Sequence, residues 1–233
     1  MIGWFDPLYI AMIAPPFLLS LYASWKVKSS FNKFSKKLTV GGKTGAVVAR
    51  EILDRNGLSY VSVEMTQGLL SDHYDPGKKA VRLSPNVFNG QNIAALGVAA
   101  HETGHAIQHK QAYRPLVLRN MMVPIASIGS NFSWIILMAG FILSNMGIVK
   151  IGIILFATIV IFQLITLPVE FDASNRAKQI LQSQGLVTAG ELTGVNKVLG
   201  AAAMTYVAAA ASAIMTLLYF LIRSGLLGGS SRD

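Results

Sequence analysis

Residues 93–110, which read IAALGVAAHETGHAIQHK, decide what kind of fold this chain can adopt. They contain His101, Glu102 and His105 in the spacing H-E-x-x-H. Side chains four residues apart share one face of a helix, so the two imidazole rings can bind one metal ion. Neutral imidazole suits Zn²⁺, and two histidines leave positions for a third protein ligand and a water. Glu102 stands beside the first ligand, where its carboxylate can accept a proton from that water.

The composition around this motif indicates a membrane protein. Of the 233 residues, 52% are hydrophobic and 13% are charged, and the mean hydropathy is +0.49. Soluble domains carry roughly 25% charged residues. The net charge of +9 is therefore expected to mark the cytoplasmic side and anionic lipid headgroups, and no nucleic-acid partner is expected. The absence of cysteine excludes disulfides, thiolate zinc ligands and thiol nucleophiles.

Four apolar segments predict transmembrane helices. They are Leu8–Trp25, Met121–Ser144, Ile151–Leu167 and Ala201–Ile222. The first contains Pro15 and Pro16, which predict a kink. No Lys or Arg precedes this segment and six lysines follow it between residues 26 and 43, which indicates an anchor and not a cleaved signal peptide.

The basic residues also predict the orientation of the chain. Residues 26–119 and 169–200 hold 14 and 3 Lys plus Arg, whereas the remaining loops and tail hold Lys150, Arg223 and Arg232. Seventeen against three is a strong positive-inside signal. We therefore expect the polar part of the chain to be cytoplasmic and both termini to face outward.

The polar region before the motif predicts a small α+β arrangement. Thr44 is the expected N-cap of a helix that stops near Asn56-Gly57. A strand is expected over residues 60–65, and residues 69–74 and 80–83 flank a turn-rich link that predicts a β-hairpin. The motif helix itself is expected from about Asn92 to Lys110, with small residues that allow close packing.

A third metal ligand has few candidates. Between His105 and Glu170 the sequence contains no Asp or Glu, and the acidic residues beyond are Asp172, Glu191 and Asp233. Three successive histidines at four-residue steps span about 12 Å, so His109 cannot share a site with both motif histidines and is expected at a surface or interface.

Geometry favours Glu170 over Asp172. The second and third spans form a membrane hairpin that returns the chain to the cytoplasmic face near Pro168, which suits the first turn of a new helix over 169–184. Asp172 and Arg176, four residues apart, are expected to form a surface pair, which leaves Glu170 as the ligand. Alternatively, Glu170 only stabilises the helix N-terminus through the macrodipole.

Four motifs give the chain a family resemblance. They are GLLSDHYDP at 68–76, VRLS at 81–84, AAHETGHAIQ at 99–108 and LPVEFDAS at 167–174. Together, and over nearly the whole chain, they resemble the YugP family of bacterial membrane-bound neutral zinc metallopeptidases. The last motif also resembles the third-ligand segment of HtpX-type proteases, with Ser174 where those have Asp. The resemblance implies one Zn²⁺ per chain held by His101, His105 and Glu170, with Glu102 as general base.

These observations combine into one expected architecture: an α+β, mainly α, polytopic membrane protein with four transmembrane helices and a small zincin-like catalytic part. Its expected parts are an anchor at 1–25, a cytoplasmic α+β part at 26–115, a transmembrane hairpin at 116–168, a cytoplasmic helix with the third ligand at 169–200 and a C-terminal transmembrane helix and tail at 201–233. Its expected location is the bacterial plasma membrane.

The expected activity is hydrolysis of membrane or misfolded proteins at the cytoplasmic face. Residues 81–84, if they lie at a sheet edge, are expected to pair with an extended substrate. His73 either stabilises an oxyanion or only holds the hairpin, while Tyr74 and Arg82 have no assigned role.

Three other functions are open. An intramembrane protease would need the motif inside a spanning helix, but polar residues 108–111 follow it at once. A zinc-binding scaffold would have no use for Glu102. A transporter is disfavoured because the predicted spans contain no charged residue.

Overall fold

The structure is a computed structural model that describes residues 6–68 and 71–227. Its elements in chain order are α1 Pro7–Phe34, α2 Gly45–Arg55, β1 Ser62–Met65, β2 His73–Asp75, β3 Ala80–Leu83, α3 Pro85–Phe88, α4 Ile93–Lys110, α5 Arg114–Ile142, α6 Met146–Ser183 and α7 Ala189–Arg223. The prediction of a mainly helical α+β protein is confirmed. Two residues of the predicted hairpin, Leu69 and Leu70, lie outside the described residues.

Four helices of the described chain, α1, α5, α6 and α7, are long and apolar enough to cross a membrane. The prediction of four such helices is therefore confirmed, although each is longer than its predicted span. Pro15 and Pro16 lie inside α1 without ending it.

The prediction that Pro168 begins a new helix is wrong, because α6 runs unbroken from Met146 to Ser183. A proline inside a helix removes one hydrogen bond, while the bonds on either side remain. The helix beyond it is stabilised by burial of one stripe at intervals of four residues, formed by Val169, Ala173, Ala177 and Leu181.

By contacts the chain divides into two compact units, and residues 6–23, 118–167 and 205–227 belong to the first. We call it the membrane-helix unit. Its buried cluster is small and contains four aliphatic and three aromatic residues: Leu137, Val149, Ile153, Phe156, Val160, Tyr219 and Phe220. Gly152 allows a close approach there, since a Cβ on it would lie 2.7 Å from Leu137 Cγ.

The second unit, residues 24–117 and 168–204, contains the sheet and the motif helix. We call it the motif unit. Its three strands have the order β1-β3-β2, with β1 parallel and β2 antiparallel to β3. The β2–β3 pair is the expected hairpin. Helix α2, capped by Thr44 Oγ1 accepting from Val47 N at 3.3 Å, packs against α4 and buries Val48, Ile52 and Leu53.

Residues 81–83 do not lie at a sheet edge, so the condition for their expected pairing with a substrate is not met. Strand β3 is central, because β1 pairs with its second side. The hairpin pattern is local, whereas a parallel partner comes from a strand further back in the chain. The outer strands of this sheet are β1 and β2.

Candidate metal centre

Two helices of the motif unit bring three side chains to one point. His101 and His105 lie on α4 and Glu170 lies on α6. Glu170 Oε2 is 3.3 Å from His101 Nε2 and 3.5 Å from His105 Nε2. One ligand atom from each residue lies within 4.8 Å of the other two, and this is the one such group found among residues 6–68 and 71–227. The residues predicted from sequence are thus placed together.

The two helices approach closely because of a glycine inside the motif. A Cβ on Gly104 would lie 2.8 Å from the carbonyl oxygen of Ala173 and 3.3 Å from its Cα. Real side chains do not tolerate the shorter distance to a backbone atom, so only glycine fits this crossing. Glu170 precedes Ala173 by less than one turn of α6, and this close contact therefore brings its carboxylate to the two histidines.

Each imidazole ring is held through its other nitrogen. Nδ1 of His101 lies 3.1 Å from Ser174 Oγ, and Nδ1 of His105 lies 3.0 Å from Gln108 Oε1. A metal-binding histidine commonly donates its second N–H to such an oxygen, which fixes the tautomer. The Ser174 side chain, from α6, therefore contacts the His101 ring directly. The donor set fits Zn²⁺ held through the two Nε2 atoms and Glu170.

The carboxyls of the site have different electrostatic surroundings. Burial raises the pKa of Glu102, and the nearby His101 and His105 only partly oppose this. Glu170 follows the predicted membrane span; burial alone would raise its pKa, but the two histidines that face its carboxylate outweigh burial and lower the pKa well below its usual range. Glu170 therefore stays ionised, which is the state that a metal ligand needs. The Glu170 carboxylate and the Glu102 charge raise the pKa of His105 against the effect of burial.

The other candidates from the sequence lie outside the group of three. Asp172 binds Arg176 at 2.5 Å, as expected of the pair, and Glu191 accepts from the backbone of Val40 and Thr188. Asp233 is outside the described residues.

Three residues without an assigned role have structural partners. The exposed His73 contacts the carbonyl of Ser71 through Nδ1 at 2.8 Å. His109 Nδ1 lies 2.9 Å from the Tyr74 hydroxyl, which ties α4 to β2. Arg82 forms ion pairs with Glu64 and Asp75. None of these side chains belongs to the group of three that can hold a metal.

Sequence reasoning missed two polar residues beside the site. Gln108 is fully buried and contacts His105, Val169 and Asp172. Asp72 accepts from both the backbone N and the hydroxyl of Ser84. The one signal for Gln108 was a polar residue following an apolar helical stretch, which is too common to be diagnostic.

The described chain thus combines a His-His-Glu group that could hold a metal ion with four helices that could cross a membrane, as expected of a membrane metalloprotein. Residues 9–225 match the family model described as "Putative neutral zinc metallopeptidase", and the chain belongs to this family. It is also 49% identical over 215 residues to "Putative membrane protease YugP" of Bacillus subtilis (strain 168), covering 92% of this chain and 96% of that protein. No solved structure matches the chain. The predicted family and the predicted zinc cofactor are confirmed.

Proposed function

We propose that the protein is a zinc endopeptidase that hydrolyses peptide bonds at the cytoplasmic face of the bacterial plasma membrane. The observation that carries this proposal is the convergence of His101, His105 and Glu170 beside the buried Glu102. A site that only binds zinc has no use for a buried carboxylate next to its ligands. The family membership and the relative named as a membrane protease support a peptide substrate.

The chemistry assigns separate tasks to the residues of the site. A bound Zn²⁺ would polarise the peptide carbonyl and acidify a water molecule. His101, His105 and Glu170 would hold the ion, and Glu102 would accept the proton of the attacking water. As the new C–O bond forms and the C–N bond breaks, Glu102 would pass that proton to the leaving amine. Atoms and charges then balance with water as the only co-reactant.

Strand β2 is our candidate for contacting the substrate backbone. It is an outer strand of the three-stranded sheet, and its Tyr74 hydroxyl contacts His109 on the motif helix. An extended peptide added to an outer strand gains backbone hydrogen bonds whatever its sequence. This mode suits a protease that acts on unfolded segments of membrane or misfolded proteins.

Cleavage outside the bilayer is favoured over intramembrane cleavage. Helix α4, which carries the motif, is not one of the four helices in the described chain that could cross a membrane. Seventeen of the 20 basic residues lie in the segments 26–119 and 169–200, which favours a cytoplasmic catalytic part.

Substitution of Glu102 separates an enzyme from a zinc-binding scaffold. Glu102→Gln is expected to keep zinc and the fold but to lose proteolysis by about 10²–10⁴-fold, because an amide cannot act as the base. His101→Ala is expected to lose metal and activity together. The measurements are zinc content and cleavage of a casein-like unfolded substrate by the purified protein. Equal cleavage by Glu102→Gln and the parent would contradict the proposed mechanism, and no cleavage by the zinc-loaded parent would favour the scaffold.

A further inference from the structure

We propose that Gln108 is a positioning residue that fixes the orientation and tautomer of His105, and that Asp172 and Arg176 hold Gln108 in place. This inference rests on the proposed role of His105 as a zinc ligand. It concerns the hydrogen bonds behind the ring, not the atoms that touch the metal or the substrate.

The hydrogen bonds of Gln108 leave one orientation for its amide. Its Nε2 donates to the carbonyl of Val169 at 2.8 Å and to Asp172 Oδ2 at 2.7 Å. Both partners are acceptors, so the amide nitrogen must face them and the amide oxygen must face His105. Oε1 lies 3.0 Å from His105 Nδ1 and therefore accepts its proton. The lone pair of His105 is then on Nε2, the atom that faces Glu170.

Asp172 is itself fixed on its outer side. Arg176 Nε donates to Asp172 Oδ2 at 2.5 Å, and Arg176 Nη1 donates to Gln111 Oε1 at 2.7 Å. The guanidinium lies 5.7 Å from the ring centre of Tyr113. The chain of contacts thus leads from His105 through Gln108 and Asp172 to Arg176. An amide bound on both sides has little freedom to rotate away from the histidine.

The same amide connects the two helices at the ligands. Gln108 and His105 are on α4, whereas Val169 and Asp172 flank Glu170 on α6. Loss of the amide would therefore free the His105 ring and would also leave the Val169 carbonyl without the buried donor it now has. Both effects act on the spacing of the metal ligands.

The hydrogen-bond partner of His105 is more constrained than that of His101. His101 contacts the hydroxyl of Ser174, which can rotate about one bond. His105 contacts an amide that is fully buried and held by two further hydrogen bonds. We therefore expect zinc affinity to depend more strongly on Gln108 than on Ser174.

The first test replaces Gln108 by an apolar residue of similar size. Gln108→Leu is expected to weaken zinc binding by about 10–100-fold, the usual effect of losing an outer hydrogen bond to a metal-bound histidine. The measurements are zinc affinity by competition with a chelator and the visible spectrum of the Co²⁺-loaded protein, which reports the ligand geometry. His109→Ala, the adjacent residue on α4, is the control and is expected to keep the parent's zinc affinity.

The second test exchanges the hydrogen-bond donor and acceptor between positions 108 and 172. Gln108→Glu alone places two carboxylates face to face and is expected to weaken zinc binding relative to the parent. Adding Asp172→Asn supplies an N–H donor to the new carboxylate, which can still accept from His105 Nδ1, while the Val169 carbonyl still faces the carboxylate and limits the recovery. The double variant is expected to recover part of the lost affinity and the Co²⁺ spectrum of the parent.

Two outcomes would overturn the inference. One is a Gln108→Leu protein with the parent's zinc affinity and Co²⁺ spectrum. The other, which decides the question if that variant does not fold, is a double variant that binds no better than Gln108→Glu. Either result leaves the proposed function intact, provided that the parent binds zinc and cleaves protein. If the zinc-loaded parent cleaves nothing, the proposed function fails instead.

Discussion

The two units use apolar side chains in opposite ways. In the motif unit the large aliphatic residues of α2 and α4 point inward, and Ile52, Leu53 and Leu96 are buried almost completely. In the membrane-helix unit the large aliphatic residues are mostly on the outside, and Ile135, Ile142 and Ile154 are 65%, 76% and 67% exposed. A surface so rich in exposed isoleucine and leucine fits hydrocarbon, not water.

This difference explains why the buried ionisable side chains of the described residues, Glu102, His105, Glu170 and Glu191, all lie in the motif unit. A buried carboxylate or amide needs partners, and the packed interior between α4 and α6 supplies them to Glu170 and Gln108. In the membrane-helix unit most large apolar side chains are exposed, as lipid contact requires, and the buried cluster is smaller than that of the motif unit. The comparison leads to four expectations, given from the largest effect to the smallest.

The largest expected effect is an all-or-none difference in labelling across the membrane. The sequence has no cysteine, so single cysteines are clean probes. Lys78→Cys in the motif unit should resist an impermeant thiol reagent in intact cells, whereas Lys150→Cys at the start of α6 should react; both positions are exposed. The measurement is labelling before and after membrane disruption. The reverse pattern would reject the cytoplasmic motif unit.

The next effect concerns the third ligand. Glu170→Gln is expected to weaken zinc binding on the order of 10²-fold or more, beyond the 10–100-fold of an outer hydrogen bond, because the ionised oxygen ligand is lost. Glu191→Gln, which removes another buried carboxylate, from the N-terminus of α7, is the control and should retain zinc. Zinc content after dialysis is the measurement, and unchanged zinc in Glu170→Gln would remove this residue from the site.

A pair of aliphatic truncations tests the comparison itself. Leu53→Ala, in the core of the motif unit, is expected to lower the free energy of unfolding by about 2–5 kcal/mol. Ile154→Ala, on the exposed face of α6, should change it by about 0.5 kcal/mol or less. Urea unfolding in detergent micelles measures both. Equal losses would mean that the outer face of α6 is buried in a protein interface.

The smallest effect is that of the contact between β2 and α4. Tyr74→Phe removes the hydrogen bond to His109 and is expected to cost about 1 kcal/mol of unfolding free energy. Burial raises the pKa of Tyr74 to about 12, so the hydroxyl keeps its proton and the loss should be the same at pH 8 and pH 9. Tyr60→Phe, at an exposed ring, is the matched control and should be nearly silent. A loss that disappears at pH 9 would contradict this account.

The sequence predicted the features that depend on local pattern. The motif helix was expected from about Asn92 and begins at Ile93, because an Asn N-cap and an apolar repeat are local signals. The four apolar helices were found for the same reason. The scarcity of acidic residues after His105 left few candidates for the third ligand, and the expected membrane hairpin and the Asp172–Arg176 spacing favoured Glu170, which lies beside the two histidines.

The features it missed depend on partners far along the chain. A proline predicts a helix start from its own geometry, but α6 continues past Pro168 because Val169 and Ala173 find buried contacts. The central place of β3 depends on its parallel pairing with β1. The hydrogen bond from Gln108 to Val169 joins residues 61 positions apart, and patterns of local residue spacing cannot predict such a contact.

The contact between Gly104 and Ala173 also bears on how freely this motif can vary in sequence. The pattern H-E-x-x-H treats its two middle letters as free. In this chain Thr103 is fully buried with its hydroxyl bonded to the Ala100 carbonyl, and Gly104 has no room for a methyl group. Most sequences that satisfy the five-letter pattern would therefore separate α4 from α6 and move Glu170 away from the histidines. Thr103 and Gly104 allow the close packing that brings the third ligand to the site, while His101, Glu102 and His105 provide the metal ligands and the carboxylate beside them.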